Sequence, residues 1–320
     1  MAKNTNLSNA KNAKNDEFYT RIEDINEELN HYEDKFRDKI VFCNCDDPKW
    51  SNFWKYFHLN FEYLGLKKLI TTHYEPGEVQ SYKMEYTGGN DEDFEDGIIT
   101  PLAQNGDFRS PECIELLREA DIISTNPPFS LFREYLASMV EYDKKFIIIG
   151  NKNAITYKEV FPLIKDDKVW LGYGFSRGNA YFKIPTNSDT TRYAEGVYDA
   201  ATGLVKFRNC AWFTNIDHAK RHEWLETSYE YAKKDRLYPD LYPKYDNYDA
   251  INVDKVKEIP MDYDGVMGVP ITFLDKYNPE QFEIVTVGNT SIDGMIKNAE
   301  GKINGKPKYA RILIKRKAGK

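Results

Sequence analysis

Asn126, Pro127, Pro128 and Phe129 follow the short apolar run DIIST, residues 121 to 125. Proline has no N–H and pushes the residue before it away from helical backbone, so a strand that stops at Asn-Pro-Pro leaves polar groups unpaired at its tip. The side-chain oxygen of Asn126 and the main-chain carbonyl of Pro127 are then two acceptors suited to an exocyclic amino group. Phe129 can stack on the attached ring. Such a pocket suits methyl transfer to the amino nitrogen of an adenine swung out of its duplex. The same four residues also read as a proline-terminated strand with a capping asparagine, so the surrounding segments must decide.

A second cluster is Cys43-Asn44-Cys45-Asp46-Asp47, which closes the apolar run KIVFCNC. A first strand turning tightly into a helix is where an α/β sheet takes a nucleotide-like ligand. The usual Gly-x-Gly is absent here. Asn44, Asp46 and Asp47 can still accept hydrogen bonds from, or balance the charge of, a cofactor bearing an ammonium and a sulfonium. As metal ligands Cys43 and Cys45 are weak, because one C-x-C without partner Cys or His rarely makes a zinc site, and no metal is expected. Glu75 ends the run KKLITTHYE, where an acid can take ribose hydroxyls, or can simply open an acidic loop. His218 and His222, four apart beside Lys220 and Arg221, read as a solvated basic helix face.

The elements that must position these residues alternate. KIVFCNC (39–45), KKLITTHYE (67–75), DIIST and KKFIIIGN (144–151) read as strands. Helical spacing of Trp50, Phe53, Trp54, Phe57, Phe61 and Leu64 predicts a core-facing helix with Asp47 as its cap and Pro48 in its first turn. Helices are also expected over 111–120, 130–142 and 156–164, and a strand over 168–174. That order implies a doubly wound, mostly parallel α/β sheet with ligands at the carboxyl ends of its strands. Residues 76–103 lack periodicity and read as a surface insertion. NAYFKIP (179–185) and VKFRNCAWFTN (205–215) read as antiparallel strands around a turn-rich link, and FEIVTV (282–287) with ARILIK (310–315) as a late hairpin.

With 41% apolar and 30% charged residues the chain is a globular protein with a substantial core. Four scattered cysteines, a polar Asn/Lys-rich start and no apolar run near the ~20 residues of a membrane span point to a reduced, cytoplasmic protein. A net charge of −7 argues against a general nucleic-acid coat. The average hides asymmetry, since residues 75–96 hold eight acids against Lys83, whereas 302–320 hold eight bases and no acid. Binding DNA needs a basic face, not a basic total.

Asn-Pro-Pro-aromatic after an apolar strand resembles the catalytic motif of amino-methyltransferases that use S-adenosylmethionine. That resemblance implies further roles. The DEFYT-like segment would fold Phe18, Tyr19 and Thr20 over the methionine end of the cofactor. Asp107 and Phe108 of NGDFRS would hold the cofactor adenine, at the end of a third strand. Phe182 or Trp212 would supply an aromatic wall opposite Phe129. Each of these also reads as core packing or, for Asp107, as a turn before a helix capped by Ser110.

Longer strings narrow the resemblance. KNDEFYT, VFCNCDDP, NGDFRS, DIISTNPPFSLFREYL, NAITYKEVFPLIK, YPKYDNYDAINV and GVMGVPITFLDKYNPEQFEI resemble the adenine-N6 DNA methyltransferases of the EcoRI modification type, over most of 15–72, 105–172 and 242–286. The family implies a Rossmann-like catalytic domain over 15–216, after a flexible leader at 1–14, and a mixed α+β target-recognition region over 217–320. It implies S-adenosyl-L-methionine as cofactor, with Phe18, Tyr19, Thr20, Cys43, Asn44, Asp46, Asp107, Phe108 and Asn126 around it, and Asn126 to Phe129 as catalytic residues. A monomer acting on double-stranded DNA at a palindrome, GAATTC in the type member, and paired with a restriction endonuclease completes the expectation. The same motif also serves methylation of RNA or of protein glutamine, and a silent DNA- or cofactor-binding module would keep the fold. A nicotinamide oxidoreductase has only GYGFSRG (172–178), with wrong spacing, in its favour.

Overall fold

The structure, a computed structural model, describes residues 18–45, 47–75, 77, 79–175, 178–184, 189–287 and 301–317. The leader, the start of the DEFYT segment and Asp46 lie outside the described residues. Two compact units divide the chain, Met1–Lys152 with Gly172–Ile216, and Asn153–Leu171 with Asp217–Lys320.

In chain order the strands begin with Tyr19–Thr20 (β1), Ile40–Cys43 (β2), Lys68–Thr72 (β3), Tyr82–Tyr86 (β4), Ile98–Pro101 (β5), Ile122–Thr125 (β6) and Lys145–Asn151 (β7). Trp170–Leu171 (β8) belongs to the second unit, and Ala180–Lys183 (β9), Tyr198–Asp199 (β10), Leu204–Phe207 (β11) and Cys210–Thr214 (β12) return to the first. Across the main sheet of the first unit the order is β5-β4-β3-β2-β6-β7-β12. β3, β2, β6 and β7 are parallel, whereas β4, β5 and β12 are antiparallel to their neighbours. The protein is therefore α/β with a mixed sheet, and the mostly parallel sheet expected from sequence is confined to its centre. Successive residues of a strand point to opposite faces, and every residue of β6 and residues 146–150 of β7 are buried, so both faces are covered there. β2 lies between β3 and β6, so the chain leaves β2 to one side and later returns on the other. The loops that follow β2 and β6 diverge at that point and leave a crevice.

Residues 76–103 are not a structureless insertion, because β4 and β5 extend the sheet as an antiparallel pair with Met84 and Tyr86 buried. The helix Asn52–Leu59 starts later than expected. Its cap is Ser51, whose hydroxyl accepts the N–H groups of Phe53 (3.1 Å) and Trp54 (3.2 Å), while Asp47 shapes the turn before it. Trp50 falls in that turn and is 61% exposed, so it leaves the core set that Phe53, Trp54, Phe57, Phe61 and Leu64 form. The expected helix at 156–164 contracts to Phe161–Lys165, and the strand at 168–174 to the two residues of β8. Residues 205–215 split into β11 and β12, which join different sheets. β11 pairs with β9 in a small antiparallel sheet ordered β1-β9-β11-β10, and β12 pairs with β7.

In the second unit, Ala250–Asn252 (β13), Val266–Pro270 (β14), Phe282–Val287 (β15), Lys302–Ile303 (β16), Lys306–Pro307 (β17) and Arg311–Arg316 (β18) follow. One sheet is ordered β13-β14-β18-β15, with β15 and β18 antiparallel as the sequence suggested, and β16 and β17 form a separate two-stranded ribbon. The expected solvated histidine face is not formed. His218 is buried with Nε2 3.0 Å from the Leu171 carbonyl, and burial pushes its pKa down to about 4. His222 instead lies between Asp217 and Glu280. No helix among the described residues is long and apolar enough to cross a membrane.

Candidate active site

The crevice between the loops after β2 and β6 opens into a cleft of about 860 Å³, part of it open to solvent. Loops after the sheet's central strands supply Cys45 and Asp47, His73 and Tyr74, and Asn126 and Pro128. Gly106 to Arg109 form another wall, Leu131 a corner, and Phe18 and Tyr19 cross as a strap. The strap is held as the edge strand β1, with Tyr19 opposite Lys183 and Thr20 opposite Phe182, and the Asn52 amide donates to the Thr20 carbonyl at 2.6 Å.

Asn126 is held by that strap. Its Nδ2 donates to the Phe18 carbonyl at 2.7 Å, and because a carbonyl only accepts, this contact fixes which end of the amide is nitrogen. The other end, Oδ1, is buried with no hydrogen-bond partner. A buried acceptor left unpaired costs about 1–3 kcal/mol, which a ligand N–H in the cleft would recover. The tip of β6 is itself pinned, because the Thr125 hydroxyl donates to the Asn44 carbonyl and the Tyr135 hydroxyl to the Asn44 side-chain oxygen.

Asp107 does not end a parallel strand, as the sequence reading had it. It sits on a loop after the antiparallel β5, and that loop is docked on the end of β3, where the Glu75 N–H donates to the Asn105 carbonyl at 3.0 Å. Gly106 makes this approach possible. Its φ is +75°, and a Cβ there would lie 2.2 Å from the His73 carbonyl oxygen. The Arg109 guanidinium grips both Asp107 oxygens (2.9 and 2.7 Å) and reaches Glu134 at 3.0 Å. It holds the Asp107 carboxyl below the usual carboxylate range. Phe108 is buried edge-on against Tyr135, with ring centroids 5.1 Å apart. Asp47 faces His73 Nδ1 at 3.0 Å and accepts the Lys49 N–H at 2.9 Å. Burial pushes its pKa up, but the His73 ring and that amide outweigh burial, and the net shift is downward.

An orphaned acceptor, two carboxylates held ionised and a buried ring around one cleft suit a ligand that carries N–H donors and positive charge. The whole-chain comparison carries the assignment further, because residues 6–317 match the family model described as adenine-specific methyltransferase EcoRI. The chain belongs to the EcoRI adenine-specific methyltransferase family. It is 47% identical to the Type II methyltransferase M.EcoRI of Escherichia coli, over 99% of this chain and 98% of that one. Identity is 37% to M.MgeORF184P of Mycoplasma genitalium and 36% to M.MpnI of Mycoplasma pneumoniae, each over 97% of this chain and 98% of the relative. No solved structure matched the chain.

For this family member the cleft brings together Phe18, Tyr19, Asp47, Asp107, Phe108, Asn126 and Pro128 of the residues picked from sequence. Others fall outside it. Cys43 is buried in the core, and Asn44 is spent on Tyr135 and Thr125. Thr20, within the strap, is buried, and the Glu75 carboxylate accepts the Gly77 N–H of its own loop at 3.0 Å. Pro127 is buried, and the Phe129 ring lies among Phe18, Phe207 and Phe182 at 6.0, 5.9 and 6.3 Å. Phe182 and Trp212 are fully buried, Trp212 between Phe53 and Phe175, so neither stands as an open wall. Cys45, which the sequence placed in the second cluster and weighed only as a weak metal ligand, also lines the cleft, and sequence reasoning missed His73, Tyr74, Arg109 and Leu131. A signal existed for Arg109, which lies three residues after Gly106 in Asn-Gly-Asp-Phe-Arg and so follows a glycine turn. Among the described residues no group of three or more His, Cys, Asp or Glu could hold a metal ion.

Proposed function

We propose that this chain transfers a methyl group from S-adenosyl-L-methionine to the N6 amino group of an adenine flipped out of double-stranded DNA, at a palindromic site, GAATTC by analogy with its relative. The observation that carries the proposal is the orphaned, buried Oδ1 of Asn126, a residue that lines one cleft with Asp107 and Asp47. When bound, the cofactor supplies an electrophilic methyl on a sulfonium sulfur. Asp47, Asp107, Phe108, Phe18 and Tyr19 are the residues proposed to hold it. The parallel strands β3, β2, β6 and β7 are read as the core of a doubly wound, methyltransferase-type sheet. The region from Asp217 onward is read as the part that recognises the target sequence.

Asn126 Oδ1 and the Pro127 carbonyl accept hydrogen bonds from the target amino group, which favours the pyramidal, positively charged nitrogen over the planar ground state. No strong base is needed, because the nitrogen becomes acidic once its lone pair is engaged. Phe129 is assigned to stack on the extruded ring, and its neighbours Phe182 and Phe207 hold it rigid. The catalytic gain comes from positioning and electrostatics. A cytoplasmic monomer that protects its site from a partner endonuclease is the biological setting proposed.

The test is to offer radiolabelled methyl donor with duplex DNA, structured RNA and protein in parallel. Label is expected as N6-methyladenine within one duplex sequence. Asn126→Ala should keep cofactor binding and lose transfer. Label in RNA or protein alone, or unchanged turnover in the variant, would overturn the proposal.

A further inference from the structure

The second unit carries a small ribbon that the proposed chemistry does not use. β16 and β17 pair with Lys302 opposite Pro307 and Ile303 opposite Lys306, and the turn between them holds Asn304 and Gly305 at φ of +51° and +72°. Two consecutive left-handed residues of the type Asn-Gly make the tight turn whose twist matches its flanking strands. An isolated two-stranded ribbon is marginal in water, and this one is pinned. The Asp246 carboxylate accepts the N–H groups of Asn304 (3.2 Å) and Gly305 (2.7 Å), and the Asn247 side chain accepts that of Lys302 (2.9 Å). Ile303 packs on the small core around Tyr245.

What this rigid finger presents is basic and aromatic. Lys302 and Lys306 are exposed and make no ion pair among the described residues, whereas Lys308 lies 4.0 Å from Asp254. Tyr309, next along the chain, is 90% exposed. Asp246 points its charge into the turn amides, so the finger's outer edge is positive in a chain whose net charge is −7. An ordered ribbon holding two unpaired ammonium groups beside an uncovered ring is matched to a polyanion with flat apolar surfaces, which describes a nucleic-acid backbone and its sugars and bases.

We propose that the Lys302 to Tyr309 ribbon is a DNA-contacting finger, in which Lys302 and Lys306 bind backbone phosphates of the duplex and Tyr309 packs on the adjacent sugar or base. This rests on the proposal that duplex DNA is the substrate. The test is to titrate the full-length protein and its Lys302→Ala/Lys306→Ala variant into a labelled duplex by fluorescence anisotropy, at salt from 50 to 200 mM. Each phosphate contact adds about 0.9 to the slope of log affinity against log salt, so the variant should lose about 1.8. Over that fourfold salt range the wild-type affinity should fall about tenfold more than the variant's. Cofactor affinity and melting temperature should not change. A wild type that binds duplex with steep salt dependence beside an identical variant would overturn the finger alone. A wild type that binds no duplex would overturn the finger together with the substrate proposal. Tyr309→Ala should weaken binding at every salt concentration without changing the slope.

Discussion

Asn126→Asp separates a side chain that only accepts hydrogen bonds from one whose orientation is enforced. If two acceptor oxygens were all that mattered, aspartate would serve as well as asparagine. Here the Nδ2 end donates to the Phe18 carbonyl at 2.7 Å, and the substitution replaces that donor with a second oxygen against an oxygen. The lost hydrogen bond and the charge left facing a carbonyl at a half-buried position together cost about 2–4 kcal/mol. Expressed in the rate of methyl transfer this is about 30- to 1,000-fold. Protonation relieves it, because a neutral carboxyl can donate to Phe18 and keep its other oxygen in the cleft. The carboxyl introduced by the substitution should therefore have a raised pKa, and the variant's activity relative to wild type should rise as pH falls. The assay is single-turnover transfer of labelled methyl to a duplex, from pH 5.5 to 8.5, with wild type measured in parallel. A variant as fast as wild type at pH 8, or a ratio that does not move with pH, would refute the claim that the strap orients the amide.

Gly106→Ala must move either the loop or the β3 terminus, since the new methyl meets a backbone carbonyl at 2.2 Å in a left-handed conformation. A loss of about 2 kcal/mol or more in denaturant melts is expected, with at least tenfold weaker cofactor binding by calorimetry. Arg109→Ala removes an exposed pair, so the loss in cofactor affinity at neutral pH should be only about two- to fivefold. Arg109 depresses the Asp107 pKa, so the carboxylate's contribution is present above the ordinary carboxyl range and lost as pH falls below it. Without Arg109 that loss should begin at higher pH, which calorimetry between pH 4.5 and 7 will show. His218 is neutral in the fold, with a pKa near 4. The unfolded chain takes up a proton there below about 6.5, so stability should fall as pH drops from about 6.5 toward 4, and His218→Gln should flatten the melting temperature over that window.

The parts of the fold legible in the sequence are those set by covalent geometry or by short-range pattern. Pro127 and Pro128 can end a strand whatever surrounds them, and unbroken apolar runs such as Phe146–Ile149 suit only a strand covered on both faces. Ser110 capped its helix as read, with its hydroxyl 3.3 Å from the Cys113 N–H. The hairpin of β4 and β5 was missed although Tyr82, Met84 and Tyr86 alternate with Lys83 and Glu85 as in a half-buried strand, because the run is short and the many acids around it read as a surface loop. In the fold Glu85 pairs with both Lys83 and Lys68 on that face. Site residues were legible where the motif itself carries them and obscure where a distant partner decides. Asn44 offered an amide to a cofactor until Tyr135, 91 residues later, engaged its oxygen. Arg109 and His73 enter the cleft because the loop at Gly106 docks on β3, a pairing that no local spacing encodes.

The strap joins Phe18 to Asn126, which are 108 residues apart in sequence, and it is itself held by pairing with β9, further along still. Closing loops of that length is slow and comes late in folding. A nascent chain on the ribosome can complete β6 and display Asn-Pro-Pro-Phe while β9 is still in the exit tunnel, and its amide would then swing unguided. Competence would arrive only after residue 183 has emerged, so half-made molecules would be silent. Cleavage or fusion that dislodges Phe18 would silence finished ones, with every residue of the motif intact.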